Sequence, residues 1–198
     1  MGRIILASKN EGKIREIKDM LVGMSIEVLS LNDYKNISDI NEDGKSFFEN
    51  ALKKAQFISE LTGEIVLADD SGLEVDYLGG EPGIYSSRYS GNDATDSSNI
   101  QKLLKRLEGV TIEKRGASFK CVLVLYRPDG KYWSFEGSLQ GIINEEPVGN
   151  GGFGYDPVFF LPELKLTVAQ IPEEFKNRIS HRATAINKFK EACKGNIF

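Results

Sequence analysis

At 198 residues with a formal net charge of −4 and a pI near 5.2, the chain is long enough for one sizeable core and too acidic to track a nucleic-acid backbone, which calls for a basic face or stripe. No apolar run approaches the ~20 residues of a membrane span, and residues 2–7 are too short for the core of a secretion signal. The expectation is a soluble, cytoplasmic protein of one compact domain over 1–198, with neither nucleic-acid nor membrane partners.

Residues 3–7 read as a buried strand, and Ile14, Ile17 and Leu21 recur at helical spacing after it. Ser46 and Glu49 fit a capping box ahead of a helix whose apolar face is Phe48, Leu52, Ala55 and Ile58. A strand over 65–68 stops at Asp69-Asp70, and Gly79-Gly80-Glu81-Pro82-Gly83 marks a tight irregular loop. Ile100, Leu103, Leu104 and Leu107 form a helical stripe. The runs 117–126 and 131–143 flank the turn Arg127-Pro128-Asp129-Gly130 and predict an antiparallel hairpin. A Gly-rich loop over 149–154 leads into Tyr155-Asp156-Pro157, and a final helix carries Ala183, Ile186, Phe189 and Cys193 with Ser180 as its N-cap. Early strand-helix alternation followed by a long hairpin describes an α/β protein with a mixed, twisted sheet.

Chemistry concentrates at a few points. Asp69 and Asp70 repel each other where an apolar run stops, so a cation, a proton or a strong donor belongs beside them, and an oxygen-rich cluster suits Mg²⁺. A solvated Asp-Asp-Ser-Gly turn accounts for the same residues. The loop from Ser8 to Lys13 joins a strand to a helix N-terminus, where free N–H groups favour a phosphate and Lys13 adds a point charge. It is not a Walker A loop, because the glycines are missing and Ile14 stands where Ser or Thr would bind the metal. Glu42 is a third carboxylate or a solvated loop charge, and Lys54 lies on a polar strip where a surface lysine is the default. Phe153 rides on a Gly-rich backbone where it stacks on a base or plugs the core, with Asp156 ready to accept from ring N–H groups. The lone His181 follows Ser180 and precedes Arg182 at a helix start, with Lys176 one turn upstream; this set of donors would select carbonyl oxygens. Cys121 and Cys193 lack metal or redox spacing and read as buried reduced thiols in apolar surroundings, without a role.

These pieces, in this order, resemble the inosine triphosphate pyrophosphatase family, also called the Ham1-like family. The likeness runs from Ser8-x-Asn10-x-x-Lys13 through Gly44-x-Ser46-Phe47-x-Glu49-Asn50-Ala51 to Ser180-His181-Arg182. Its most specific blocks are Ala68-Asp69-Asp70-Ser71-Gly72-Leu73-x-Val75-Asp76, Gly79-Gly80-x-Pro82-Gly83-Ile84-Tyr85-Ser86-x-Arg88-Tyr89 and Gly152-Phe153-Gly154-Tyr155-Asp156-Pro157. The resemblance implies hydrolysis of the non-canonical purine nucleoside triphosphates ITP, dITP and XTP to the monophosphate and pyrophosphate, with Mg²⁺. It also implies an elongated, two-lobed α/β structure around a long mixed sheet, the site in a cleft between the lobes, and a homodimer. Carried onto this sequence, it makes Asp70 the general base and puts Mg²⁺ on Glu42, Asp70 and Asp69. Ser8, Asn10, Lys13 and Lys54 would hold the triphosphate, Phe153 would stack on the base, and Asp156, Lys176, His181 and Arg182 would read it, with His181 or Arg182 donating to the 6-oxo oxygen. Lys9, Glu11, Gly12, Ser71, Gly154 and Tyr155 would complete the substrate site.

Two rival readings remain beside it: a Maf-like pyrophosphatase acting on modified pyrimidine triphosphates, and a nucleotide sensor that keeps the pocket without the chemistry. A purine-sized stacking site at Phe153 argues against the first. Intact Glu42, Asp69, Asp70 and Lys13 argue against the second.

Overall fold

The computed structural model describes residues 2–34, 37, 40 and 42–195. Strand β1 (Gly2–Leu6) feeds helix α1 (Glu11–Leu21) and returns as β2 (Ile26–Ser30), which lies parallel to β1 with Ile4 opposite Val28. Helix α2 (Phe47–Thr62) leads into β3 (Val66–Val75), parallel to β1 with Leu6 opposite Leu67. After α3 (Asp96–Arg106), strands β4 (Gly116–Tyr126) and β5 (Tyr132–Ile143) are joined by the expected tight turn, in which the Gly130 N–H donates to the Arg127 carbonyl at 2.9 Å. Short strands β6 (Phe159–Leu161) and β7 (Leu166–Thr167) add in antiparallel fashion, and α4 (Glu173–Ile179) and α5 (His181–Cys193) follow. The seven strands form one mixed sheet in the order β2-β1-β3-β4-β5-β6-β7. No helix among the described residues is long and apolar enough to cross a membrane.

The sequence pattern passes over β2, β6, β7 and α4. Strand β2 is an edge strand with one buried residue among five, and the others are at most seven residues long, too short for a period to declare itself. The capping box ahead of α2 is half formed. Ser46 accepts from the Glu49 N–H at 3.1 Å, but the Glu49 carboxylate reaches past Ser46 to the Lys45 N–H at 2.7 Å.

Contacts divide the described chain into two compact units, one within 1–70, 121–137 and 182–198, the other within 71–120 and 138–181. In the first unit, strand alternation sorts side chains onto two faces. Ile4, Leu6, Leu67, Cys121 and Leu123 face α1 and α5, while Ile5, Val66, Ala68, Val122 and Val124 face α2. The second unit has its own core, in which Leu73, Val75, Leu103, Leu107, Val158 and Phe159 are fully buried.

The largest departure from the sequence expectation is β3. The strand does not stop at Asp69-Asp70 but runs through both to Val75. Because neighbouring strand residues point to opposite faces, the paired acids are split: Asp69 follows Leu67 toward α1 and α5, and Asp70 follows Val66 and Ala68 toward α2. Both are buried, at 1% and 5% exposure, which removes the solvated-turn alternative.

Candidate active site

On the first face, Asp69 gathers donors from three directions. Lys13 Nζ donates to Oδ1 at 2.5 Å, while Arg182 Nε and Cys121 Sγ donate to Oδ2 at 3.0 and 3.2 Å. Arg182, 1% exposed, also pairs with the buried Glu16. Two cations thus face two carboxylates, and the thiol adds a donor without adding charge. Burial pushes the Asp69 carboxyl up, but Arg182 and then Lys13 outweigh it and hold the group well below the usual carboxylate range. Burial alone would lower Arg182, yet Asp69 and Glu16 raise it. Burial, followed by the Asp69 charge, pushes the Cys121 thiol well up, so it stays a protonated donor. Its surroundings are therefore not simply apolar, and Cys193, expected to be buried, is half-buried.

On the other face, Lys54 is 7% exposed and not the surface lysine its strip suggests. An ammonium has three N–H groups. Those of Lys54 reach Glu42 Oε1 at 3.0 Å, the Asp69 carbonyl at 2.9 Å and Asp70 Oδ1 at 3.3 Å. Glu42 is therefore an ion-pair partner, not a solvated loop charge. Asp70 Oδ2 is buried without a hydrogen-bond partner among the described residues. Burial raises the Asp70 carboxyl, and the opposing pull of Lys54 and Lys13 does not cancel it. For Lys54, burial lowers the ammonium while Asp70 and Glu42 more than restore it.

The loop ahead of α1 is organised as a helix entry. Asn10 caps α1 by accepting from the Lys13 N–H at 2.9 Å, and its own N–H donates to Ser8 Oγ at 3.2 Å. Glu11 accepts from Asn32, and Lys9 Nζ donates to the Ile37 carbonyl at 3.3 Å. Gly12 lies within the first turn of the helix.

Within the second unit, Lys176 and Asp156 form a buried ion pair at 2.5 Å, with side chains 6% and 4% exposed. Asp156 Oδ2 also accepts from the Phe153 N–H at 3.0 Å, and the Lys176 ammonium lies 4.7 Å from the centroid of the Phe153 ring. Gly152 is required here: its φ is +72°, and a Cβ would stand 1.9 Å from Asp156 Oδ2. The loop is pinned further on by the Gly154 N–H on Asp96 Oδ2 at 2.7 Å and by the Tyr155 hydroxyl on the Ser86 carbonyl at 2.9 Å. His181 stacks on Phe119 with centroids 4.9 Å apart. Ser180 is the C-cap of α4 immediately before α5, and Ser71 follows Asp70 in β3 at intermediate exposure.

The structure thus joins Lys13 and Arg182 through Asp69, joins Glu42 and Asp70 through Lys54, and joins Phe153 and Lys176 through Asp156. Arg182, expected beside a base, has its guanidinium on Asp69 and Glu16. Asp69, expected to be a metal ligand, has both oxygens on protein donors. Sequence reasoning passed over Glu16 and Asp96 and gave Cys121 no role. Glu16 left a signal, since a charged residue on the Lys13, Ile17 and Met20 stripe of α1 needs a buried partner.

Among the described residues no three His, Cys, Asp or Glu side chains gather as a metal cluster. The Glu42 and Asp70 pair nonetheless fits a hard divalent cation. Its donors are all oxygens, one of them buried and unpartnered, and Mg²⁺ needs only one or two carboxylates when waters and phosphates complete its shell.

The model of the Ham1 family matches residues 4–192. A dITP/XTP pyrophosphatase of Geobacter sulfurreducens is 49% identical over 191 residues, 96% of this chain and 96% of that protein. A dITP/XTP pyrophosphatase of Bacillus licheniformis is 51% identical over 188 residues, 95% of this chain and 96% of that protein. The solved HAM1 protein of Coxiella burnetii superimposes with a TM-score of 0.90 at 38% identity, covering 98% of this chain and 100% of that one. The Ham1 protein of Staphylococcus aureus gives 0.88 at 41% identity, covering 98% of each.

Proposed function

The chain belongs to the Ham1 family, and on that premise we propose that it is a Mg²⁺-dependent pyrophosphatase of the non-canonical purine nucleoside triphosphates ITP, dITP and XTP, releasing the monophosphate and pyrophosphate. The observation that carries this reading is the buried, unpartnered Asp70 Oδ2 beside the Lys54 and Glu42 pair. It is an oxygen paired by no described residue and set among hard donors, and that is what metal-assisted phosphoryl chemistry requires.

Glu42 and Asp70 would hold the cation. When bound, it supplies charge neutralisation of the phosphates and a Lewis acid for the attacking water. Asp70 accepts the proton of that water as its oxygen bonds to the α-phosphorus and the bond to the pyrophosphate oxygen breaks. Lys13 and Lys54 offset the negative charge that grows on the departing pyrophosphate, with Ser8, Lys9, Asn10, Glu11, Gly12 and Ser71 lining its phosphates. Asp69, held by Arg182 and Cys121, keeps the Lys13 ammonium in place instead of binding the metal itself.

For the base, Phe153 supplies a stacking surface and Gly154 and Tyr155 shape the loop. Asp156 accepts from a ring N–H, and Lys176 and His181 donate to the 6-oxo oxygen. Adenine presents a donor at position 6, so a buried donor would lose its partner at a cost of ~1–3 kcal/mol, roughly tenfold to hundredfold in turnover. The same reading expects a homodimer, which sedimentation velocity checks.

The test is pyrophosphate release from ITP, dITP, XTP, ATP, GTP and dTTP, with Mg²⁺ and with EDTA. Metal-dependent release confined to the 6-oxo, non-canonical purines supports the reading. Release from dTTP alone, or from none, overturns it.

A further inference from the structure

The motif Gly44-x-Ser46-Phe47-x-Glu49-Asn50 opens α2, yet its asparagine has no part in the reaction above. Asn50 is 0% exposed, and its Oδ1 accepts from the Gly44 N–H at 2.8 Å. Its Nδ2 is buried without a hydrogen-bond partner among the described residues. A Cβ on Gly44 would stand 2.6 Å from Asn50 Oδ1 and 2.9 Å from Glu49 Cβ, so the loop lies against the helix as closely as only glycine permits. Further ties hold the same loop: Lys45 N–H to Glu49 Oε2 at 2.7 Å, and an ion pair between Asp43 and Lys53. Glu42 lies two residues before Gly44. Its partner Lys54 lies one turn beyond Asn50 on the same face of α2.

A buried amide with one half unpaired is destabilising, and an apolar side chain would fill the space without that loss. What the amide supplies, and an apolar residue would not, is the acceptor for Gly44. We propose that Asn50 is a positioning residue: by holding the Gly44 N–H it fixes the 42–44 loop so that the Glu42 carboxylate meets Lys54 beside Asp70. The inference rests on the proposed function insofar as that carboxylate pair takes the divalent cation.

The experiment compares wild type with Asn50→Ala and, as a perturbation from the loop side that keeps the Asn50 amide, Gly44→Ala. Amide hydrogen exchange of the metal-free, nucleotide-free protein is followed by NMR, and ITP turnover is measured as a function of Mg²⁺. In Asn50→Ala the Gly44 amide is expected to exchange at least about tenfold faster while amides in the middle of α1 are unchanged. The Mg²⁺ concentration for half-maximal turnover should rise by about 10–100-fold in both variants, with turnover at saturating Mg²⁺ within about threefold of wild type. A residue that only supported the fold would lower turnover without moving the Mg²⁺ dependence, and that result overturns the inference. So does an unchanged Gly44 exchange rate in Asn50→Ala. If Asn50→Ala does not fold, the Mg²⁺ dependence of Gly44→Ala decides in the same terms. If the wild type hydrolyses no nucleoside triphosphate, the proposed function falls, and Gly44 exchange alone decides whether Asn50 positions the loop.

Discussion

Asp69→Asn keeps the shape of the side chain and removes its charge, so it isolates what that charge does in the buried cluster. In the wild type, Lys13 and Arg182 meet Asp69 at 2.5 and 3.0 Å, and Arg182 meets Glu16 as well. The amide leaves two cations facing one carboxylate and turns one of its own donors toward them. Two charge-assisted hydrogen bonds at ~1.5–3 kcal/mol each give a loss consistent with the ~3–5 kcal/mol typical of breaking a buried pair, so about 4 kcal/mol is expected. In a chain of this size each kcal/mol lowers Tm by roughly 2–4 °C, which puts the variant ~8–16 °C below wild type. Urea unfolding followed by the fluorescence of the single Trp133, together with calorimetry, measures both quantities. The pH dependence sharpens the test. Because the folded Asp69 carboxyl lies well below its ordinary 3.8, its stabilisation is complete above that value and is lost as pH falls through the folded pKa. The gap between wild type and variant should therefore be full at neutral pH and close on acidification. A variant within about 1 kcal/mol of wild type at neutral pH, the ordinary range of a single substitution, or a gap that widens in acid, would refute the reasoning.

Asp70→Asn should reduce turnover by about 10²–10⁴-fold, the usual contribution of a general base, while nucleotide binding by calorimetry remains measurable; retained turnover removes Asp70 from that role. Lys176→Met removes both the Asp156 ion pair and the cation over Phe153, and His181→Ala removes the other proposed donor. Each should narrow the ITP to ATP turnover ratio by roughly tenfold, and an unchanged ratio in both places base selection elsewhere. Of the two cysteines, Cys121 is 1% exposed and its thiol lies well up, while burial pushes the half-buried Cys193 up to about 11. A thiol reagent at mildly alkaline pH should modify Cys193 slowly and Cys121 only after denaturation; fast modification of Cys121 in the native protein would contradict its placement.

The sequence by itself determined the elements whose periodicity is strong and local. Helices α1, α2, α3 and α5, the β4 and β5 hairpin with its Pro-Asp-Gly turn, and the family motifs were all legible. Each depends on residues within a few positions of one another, where propensity, capping and turn chemistry act. Only the tertiary structure decided how the charged residues pair. Arg182 reaches Asp69 across 113 residues and Glu16 across 166, and no local pattern encodes such a partnership. The continuation of β3 through Asp69 and Asp70 was equally hidden, because two adjacent carboxylates carry the local signature of a turn. They are tolerated inside a strand only because each face supplies its own cations, Lys13 and Arg182 on one side and Lys54 on the other. That separation follows from the two-residue period of a strand, which sends neighbouring side chains to opposite faces. It sets both oxygens of one acid on protein donors and leaves an oxygen of the other unpaired among the described residues.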